Sequence, residues 1–182
     1  MQATTPDFNI KHNGATFTPQ PLADYLSKEI ITNLNGNANS ALLKVLDPAC
    51  GNGELLLSLH QMLRTNDTDT HCEGYDINID YTIASKSRLN KHDISNSITK
   101  GDFLQLHLDD EIPTNHYDLV IANPPYVRTQ ILGENKAQSL AKAFNLKGRV
   151  DLYYPFLIAM TAALKEGGLL CVITSNRYLF TK

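Results

Sequence analysis

Four times in succession the chain runs through a short β-prone stretch that stops on a polar residue, and a helical pattern follows three of the four stops. The stops are Asp47, Asp76, Asp102 and Asn123, separated by 29, 26 and 21 residues. The first two intervals each hold one strand, one turn and one helix, and the third holds a turn and a strand. Parallel neighbours need a crossover of about a dozen residues or more, normally a helix, whereas antiparallel neighbours can be joined by a tight hairpin. The repeat therefore predicts an α/β protein: a mostly parallel sheet with helices on both faces. In such sheets ligands bind beyond the carboxyl ends of the strands. One polar residue at a strand end is commonly a helix cap. Four in register mark an edge, and that edge is where a site is expected.

The elements read as follows. Thr18-Pro19 reads as an N-cap with a proline in the first turn, and Leu22, Leu26, Ile30 and Leu34 repeat at i+4 behind it. An Asn-rich loop leads to a strand over Leu42–Leu46. Leu55, Leu56, Leu59, Met62 and Leu63 form the next helical stripe. A strand over Cys72–Tyr75 precedes a weaker helix through Ile79, Ile83 and Leu89, and Ile98–Lys100 is a short third strand. Tyr117–Ala122 is an uninterrupted strand stopped by Asn123-Pro-Pro-Tyr126. Tyr153, Phe156, Leu157, Met160 and Leu164 outline a helix ended by Gly167-Gly168, and Leu169–Thr174 is the fifth strand.

At 182 residues, 42% apolar and 19% charged, the chain has the make-up of one globular domain. No apolar run reaches the ~18 residues of a membrane helix, and the N-terminus has no secretory pattern, so a cytoplasmic protein without a membrane partner is expected. With 16 basic and 19 acidic residues the net charge of −3 gives no support for nucleic-acid binding from overall basicity. Cys50, Cys72 and Cys171 have no CxxC pairing and read as small buried hydrophobes. The six histidines stand singly, without ligand spacing, so no metal is expected.

Asp47-Pro48-Ala49-Cys50-Gly51-Asn52-Gly53 joins the first strand to a helix. Two glycines two apart permit a tight turn and close approach of a ligand to the backbone, although a purely structural turn would also use them. A dinucleotide fingerprint would place a small residue three after Gly53, where Leu56 stands, which argues against a nicotinamide or flavin dehydrogenase. Asp76, 23 residues past Gly53, suits the acid that accepts ribose hydroxyls, with Ile77 offering an apolar face to a purine. An N-cap is the plainer role for Asp76. Asp102-Phe103 repeats the pairing: an acceptor for an amino group beside a ring that can stack. Together these describe an adenosine pocket without a phosphate cradle.

Asn123-Pro124-Pro125-Tyr126 is the most specific feature. Two prolines fix φ and delete two N–H donors, leaving a rigid corner that presents acceptors. The Asn123 side-chain oxygen and the Pro124 carbonyl can accept both hydrogens of an NH₂ group. Holding those hydrogens out of plane would free the lone pair of an aromatic amine for an electrophile, with Tyr126 stacked on the planar substrate. Beyond the corner, Arg128, Lys136, Lys142, Lys147 and Arg149 face one acid, Glu134. The segment suits phosphate contacts, and an ordinary solvated loop would look the same.

Thr18-Pro19, Asp47 through Gly53, Gly74-Tyr-Asp-Ile77, Gly101-Asp-Phe103 and Asn123 through Tyr126, in that order, resemble the gamma class of S-adenosylmethionine-dependent DNA adenine-N6 methyltransferases of restriction–modification systems. The resemblance spans nearly the whole chain and implies a Rossmann-like class I methyltransferase sheet. Residues 1–182 would be the N-terminal portion of the catalytic domain, with 1–40 carrying a cofactor-site helix and 41–182 the core. It implies S-adenosyl-L-methionine as cofactor: Thr18 at the methionine carboxylate, Asp47, Pro48, Ala49, Gly51 and Gly53 around the amino-acid part, Asp76 on the ribose and Ile77 on the adenine. Asp102 would accept the adenine amine, Phe103 would stack on it, and Pro125 would also touch the cofactor. Asn123, Pro124 and Tyr126 would hold an adenine flipped out of double-stranded DNA. The resemblance places the last strands of the sheet and a C-terminal recognition domain, or a specificity subunit, beyond Lys182.

Protein-glutamine and ribosomal-RNA methyltransferases share the corner, since they too methylate a planar nitrogen. A subunit that binds cofactor or partner without catalysis is the alternative of another class.

Overall fold

The computed structural model describes residues 17–34, 42–125, 134–146 and 151–174, with backbone alone for 134–137. Its strands are β1 (Leu42–Asp47), β2 (Asp69–Asp76), β3 (Ser95–Lys100), β4 (Tyr117–Ala122) and β5 (Leu164–Val172). The helices are α1 (Gln20–Asn33), α2 (Glu54–Arg64), α3 (Ile79–Lys91), α4 (Phe103–Leu108), α5 (Glu134–Ala143) and α6 (Tyr153–Ala163). The five strands form one sheet in the order β3-β2-β1-β4-β5, and every pairing is parallel. The order reverses between β1 and β4, which makes the crevice above that pair the topological switch point.

Period-two alternation assigns the faces. Leu43 and Val45 of β1, Cys72 of β2 and Leu119 and Ile121 of β4 pack with Leu26 and Ile30 of α1 and Leu56, Leu59 and Leu63 of α2, and Leu89 of α3 joins them. Leu46, Val120 and Ala122 face the other way, onto Phe103 of α4 and Phe156 and Met160 of α6, and an irregularity between Tyr117 and Leu119 brings Tyr117 to the same side. Helices thus cover both faces, as expected for an α/β sheet. Among the described residues no helix is long and apolar enough to cross a membrane.

Three local readings need correction. Thr18 does not cap α1: Pro19 occupies that position without a side-chain hydrogen bond, and the Thr18 hydroxyl is engaged elsewhere. The buried face of α1 is Ala23, Leu26, Ser27 and Ile30, with Leu22 exposed, because α1 lies close against α2 and small residues fill the seam. There Ser27 and Ser58 share a hydrogen bond of 3.0 Å, and Ser58 donates to Asp24 at 2.6 Å. Finally, Gly167-Gly168 does not end α6. That helix stops at Ala163, and Leu164 already pairs with Tyr117, while Leu119 pairs with Leu169. The glycines sit in the resulting bulge, where a Cβ on Gly168 would lie 2.8 Å from the Asp118 carbonyl oxygen.

Candidate functional site

Register sets the depth of each polar strand end. Asp47 pairs with Gly74, so Asp76 stands two residues farther along the strand direction. Leu46 pairs with Val120, so Asn123 also stands two residues beyond the level of Asp47. At ~3.3 Å per residue both rise about 7 Å above Asp47. By alternation Asp47 and Asp76 share the sheet face that α1 and α2 cover. Asp47 is therefore the floor of a notch with Asp76 and Asn123 on its two rims, and it is 1% exposed.

Burial in this notch pushes the Asp47 carboxyl up to about 7, with the Asp76 charge adding to the rise and the Ala49 N–H opposing it. That N–H donates to Asp47 Oδ1 at 3.1 Å. A carboxyl held this far from its ordinary range is one whose charged form a nearby cation would favour. Asp76 is raised as well, by burial, against two N–H donors: Gly51 at 3.0 Å and Asn78 at 2.8 Å. Asp76 is not a helix cap. Asn78 caps α3, accepting from the Asp80 N–H at 2.9 Å. Asp76 instead clamps the β1–α2 turn to the end of β2, helped by the Cys50 N–H, which donates to the Tyr75 carbonyl at 2.8 Å.

The turn itself needs its glycines. Gly51 and Gly53 have φ of 50° and 80°, in the left-handed region. A Cβ on Gly53 would meet Ser85 Oγ of α3 at 2.5 Å, so the glycine also lets α2 and α3 approach. On Gly51 a Cβ would find only the Phe17 ring, at 3.7 Å. Phe17 spans this side of the notch, its ring edge-on to Tyr81 with centroids 5.0 Å apart. Beside it Asn123 Nδ2 donates to Thr18 Oγ1 at 3.1 Å.

The structure thus gathers Thr18, Asp47, Ala49, Gly51 and Asn123 around one cleft, whose wall Phe17, Cys50, Asn52, Glu54 and Leu55 complete. Pro48 is buried in the same turn, and Pro124 is buried behind the β4 corner with Pro125 half-buried beside it. Ile77 projects at the rim, 63% exposed. Asp102 caps α4, accepting from the Leu104 N–H at 3.2 Å. Phe103 is not in the cleft: it is 2% exposed, its ring between those of Tyr75 and Phe156, each 5.9 Å away. Its packing belongs to the core beneath Asp102. Tyr126, Arg128, Lys147 and Arg149 lie outside the described residues. Lys136 and Lys142 fall on α5, where Lys142 is exposed in the last turn. Among the described residues no group of three His, Cys, Asp or Glu could hold a metal. Cys50 and Cys72 are free and buried, and burial raises both thiols.

Phe17 was not legible as a site residue, because a lone aromatic before Thr18-Pro19 carries no spacing that points to the strand edge. Glu54 gains its place through an ion pair with Arg88 that ties α2 to α3.

Comparison with known proteins puts this geometry in context. Residues 30–182 match the family described as Eco57I restriction-modification methylase. The Type II methyltransferase M.BanIII of Aneurinibacillus aneurinilyticus is 47% identical over 194 residues, covering 98% of this chain and 33% of the relative. The chain spans about a third of the length of the curated relatives it matches. A solved structure from Listeria monocytogenes, described as a class I S-adenosylmethionine-dependent methyltransferase, superposes with a TM-score of 0.71 at 20% identity, covering 92% of this chain and 49% of that one. A type I restriction-modification methyltransferase subunit from Streptococcus thermophilus gives 0.63 at 21% identity, covering 86% and 34%. These two show the fold: a class I methyltransferase sheet.

Proposed function

Since the chain belongs to the Eco57I restriction-modification methylase family, we propose that it is the part of a DNA methyltransferase that binds S-adenosylmethionine and carries the methyl-transfer site, acting on the N6 amine of an adenine flipped out of double-stranded DNA. The observation that carries this reading is the placement of Asn123-Pro124-Pro125 at the switch point, on the rim of a notch floored by the buried Asp47.

The donor set fits the cofactor. The strand ends succeed one another across the sheet as Asp102, Asp76, Asp47 and Asn123, and neighbouring strands lie ~4.8 Å apart, so the row is roughly 14 Å long. An extended adenosyl amino acid would follow it. Its adenine would sit by Ile77 and Asp102, its ribose at Asp76, and its ammonium on Asp47. Thr18 would meet the carboxylate, and Pro48, Ala49, Gly51 and Gly53 would shape the turn around the amino-acid part. Pro125 adds a contact near the reaction edge. Phe103 acts from below, as the packing that fixes Asp102. When bound, the sulfonium supplies an electrophilic methyl group.

The chain's own work is positioning. Asn123 Oδ1 and the Pro124 carbonyl accept the two amine hydrogens, which turns the nitrogen lone pair toward the methyl group. Tyr126 stacks on the adenine. A base inside a duplex cannot reach a notch this deep, so flipping is required. Lys136, Lys142, Lys147, Arg149 and Arg128 give the DNA side a basic segment for phosphates. We assign choice of target sequence to parts of the relatives that this chain does not span, a recognition domain or a specificity subunit.

The test is the melting temperature with S-adenosylmethionine, with NAD as control and Asp76→Ala as the blank. At ~100 times the dissociation constant, binding to the native state adds about 2.7 kcal/mol. For a domain of this size that raises the midpoint by roughly 5–11 °C. A rise with both ligands, or one that persists in the variant, would refute the assignment. Transfer of a labelled methyl group to adenine-containing DNA, against a glutamine peptide and ribosomal RNA, then tests the substrate in the protein as the cell makes it.

A further inference from the structure

The hydrogen bond from Asn123 Nδ2 to Thr18 Oγ1, 3.1 Å long, joins residues 105 apart in sequence and links the two halves of the site. We infer that Thr18 is a positioning residue whose hydroxyl selects which end of the Asn123 amide faces the reacting amine. The inference rests on the reading of Asn123 as an acceptor given above, and adds a control on it.

A primary amide has two ends of nearly equal shape and opposite polarity: an oxygen that only accepts and an NH₂ that only donates. The torsion that exchanges them is broad and close to two-fold, so the Asn123 side chain has little intrinsic preference. With the NH₂ end toward the substrate it would oppose an incoming amine. With the oxygen there it accepts an amine hydrogen. The arrangement therefore needs an external group to choose, and Thr18 is placed to do so.

A hydroxyl by itself is ambiguous, because it can give or take. Its polarity is set by where its own hydrogen goes. An anionic group on the far side of Thr18 takes that hydrogen and leaves only lone pairs toward Asn123, which then must offer its NH₂ there and keep its oxygen, buried in the site, on the opposite end. The carboxylate of an amino-acid cofactor is such a group. On this logic, filling the notch with the cofactor orients the acceptor for the substrate.

Thr18 is held firmly enough for this. Pro19 follows it at φ −64° and Phe17 precedes it, locked against Tyr81. The helix that begins there is pinned to α2 through Ser27, Ser58 and Asp24. The hydroxyl thus sits on a braced segment whose place depends on the same α2 that the glycine turn opens.

The experiment follows the Asn123 side-chain amide by nitrogen-15 NMR in the 182-residue chain, with Asn123→Gln identifying its pair of signals. One hydrogen bond of this kind slows exchange of an amide hydrogen about five- to tenfold. One Asn123 hydrogen should show that protection in the parent, lose it in Thr18→Val and keep it in Thr18→Ser. Adding S-adenosylmethionine should deepen the protection in the parent and the serine variant and leave the valine variant unmoved. Unchanged exchange in Thr18→Val, with its melting temperature intact, would overturn the inference. So would a cofactor effect of equal size in all three chains. If the cofactor binds none of them, the function reading fails, while the cofactor-free comparison still reports on the bond. In the protein that carries the chain in full, Thr18→Val should lower kcat about tenfold at little cost in KM for DNA, with Thr18→Ser restoring it. A rise in KM alone would mean that Thr18 serves binding and not orientation.

Discussion

Replacing Asp47 with asparagine should stabilise the cofactor-free chain at neutral and alkaline pH. Asp47 is 1% exposed, and burial raises its carboxyl to about 7 from an ordinary value of 3.8. Below pH ~4 the group is protonated in both the folded and the unfolded chain and costs nothing. As pH rises the unfolded chain releases the proton first. The folded chain holds it to about pH 7, so stability falls through this window. An interval of about three pH units, at 1.36 kcal/mol each, puts the accumulated cost at about 4 kcal/mol above pH 8. Asparagine keeps an oxygen for the Ala49 N–H, removes the buried charge and relieves its repulsion with Asp76. Melting both chains from pH 3 to 8.5 should show midpoints that lie close together in acid and separate with rising pH, by roughly 8–16 °C at the top. A separation that is flat, or that favours Asp47 as pH rises, would show that the notch already neutralises this charge. The counter-ion role would then have no basis. With S-adenosylmethionine present the parent's decline should flatten, because the ammonium takes over from the proton, and binding near pH 7 should release about half a proton.

Gly53→Ala combines a left-handed φ with a Cβ 2.5 Å from Ser85 Oγ, and should cost about 2–3 kcal/mol in denaturant unfolding. Adding Ser85→Ala should return only part of that, since the backbone strain stays. Arg88→Ala breaks the partly buried pair with Glu54 and should lower stability by about 1 kcal/mol, a loss that shrinks at high salt. In the protein that carries this chain in full, reversing charge at Lys147 and Arg149 should weaken DNA binding and flatten its salt dependence by a slope of about 2, measured by fluorescence anisotropy. Unchanged binding would remove the basic segment from the interface.

How far the sequence revealed the fold depended on where each element sits in the sheet. β4 is an interior strand buried on both faces, so Tyr117–Ala122 stood out by its apolar residues and its limits match. β3 lies at the edge. Its first residues, Ser95, Asn96 and Ser97, carry no apolar signal, yet they pair with His71, Cys72 and Glu73, so the strand begins three residues earlier than Ile98. Tertiary pairing overrides composition there. In α3 the apolar residues misled in the other direction. Ile79 and Ile83 are exposed while Thr82, Ser85 and Leu89 are buried, and the residue that faces Gly53 is the small Ser85 because α2 and α3 approach closely there.

The site was legible to the degree that it depends on strand ends alone. A parallel sheet brings the residue after each strand to one edge whatever the loops do, so Asp47, Asp76, Asp102 and Asn123 could be placed together from spacing. Their division of labour could not. Asp76 and Asp102 look alike in sequence, yet Asp102 caps a helix while Asp76 holds the glycine turn through the Gly51 N–H. The difference comes from strand order: β2 lies beside β1, whose turn supplies that donor, and β3 is one strand farther out. The same order explains why Asp47 has the most perturbed carboxyl among the described residues. It lies between the two strands that rise above it and is 1% exposed. A charge so placed destabilises the empty chain, and in the proposed function it is offset by a cation that arrives with its own hydrogen-bond donors. On the proposed reading the part of the fold that costs stability is the part that selects the ligand, and the pH dependence of Asp47→Asn with and without S-adenosylmethionine tests the two together.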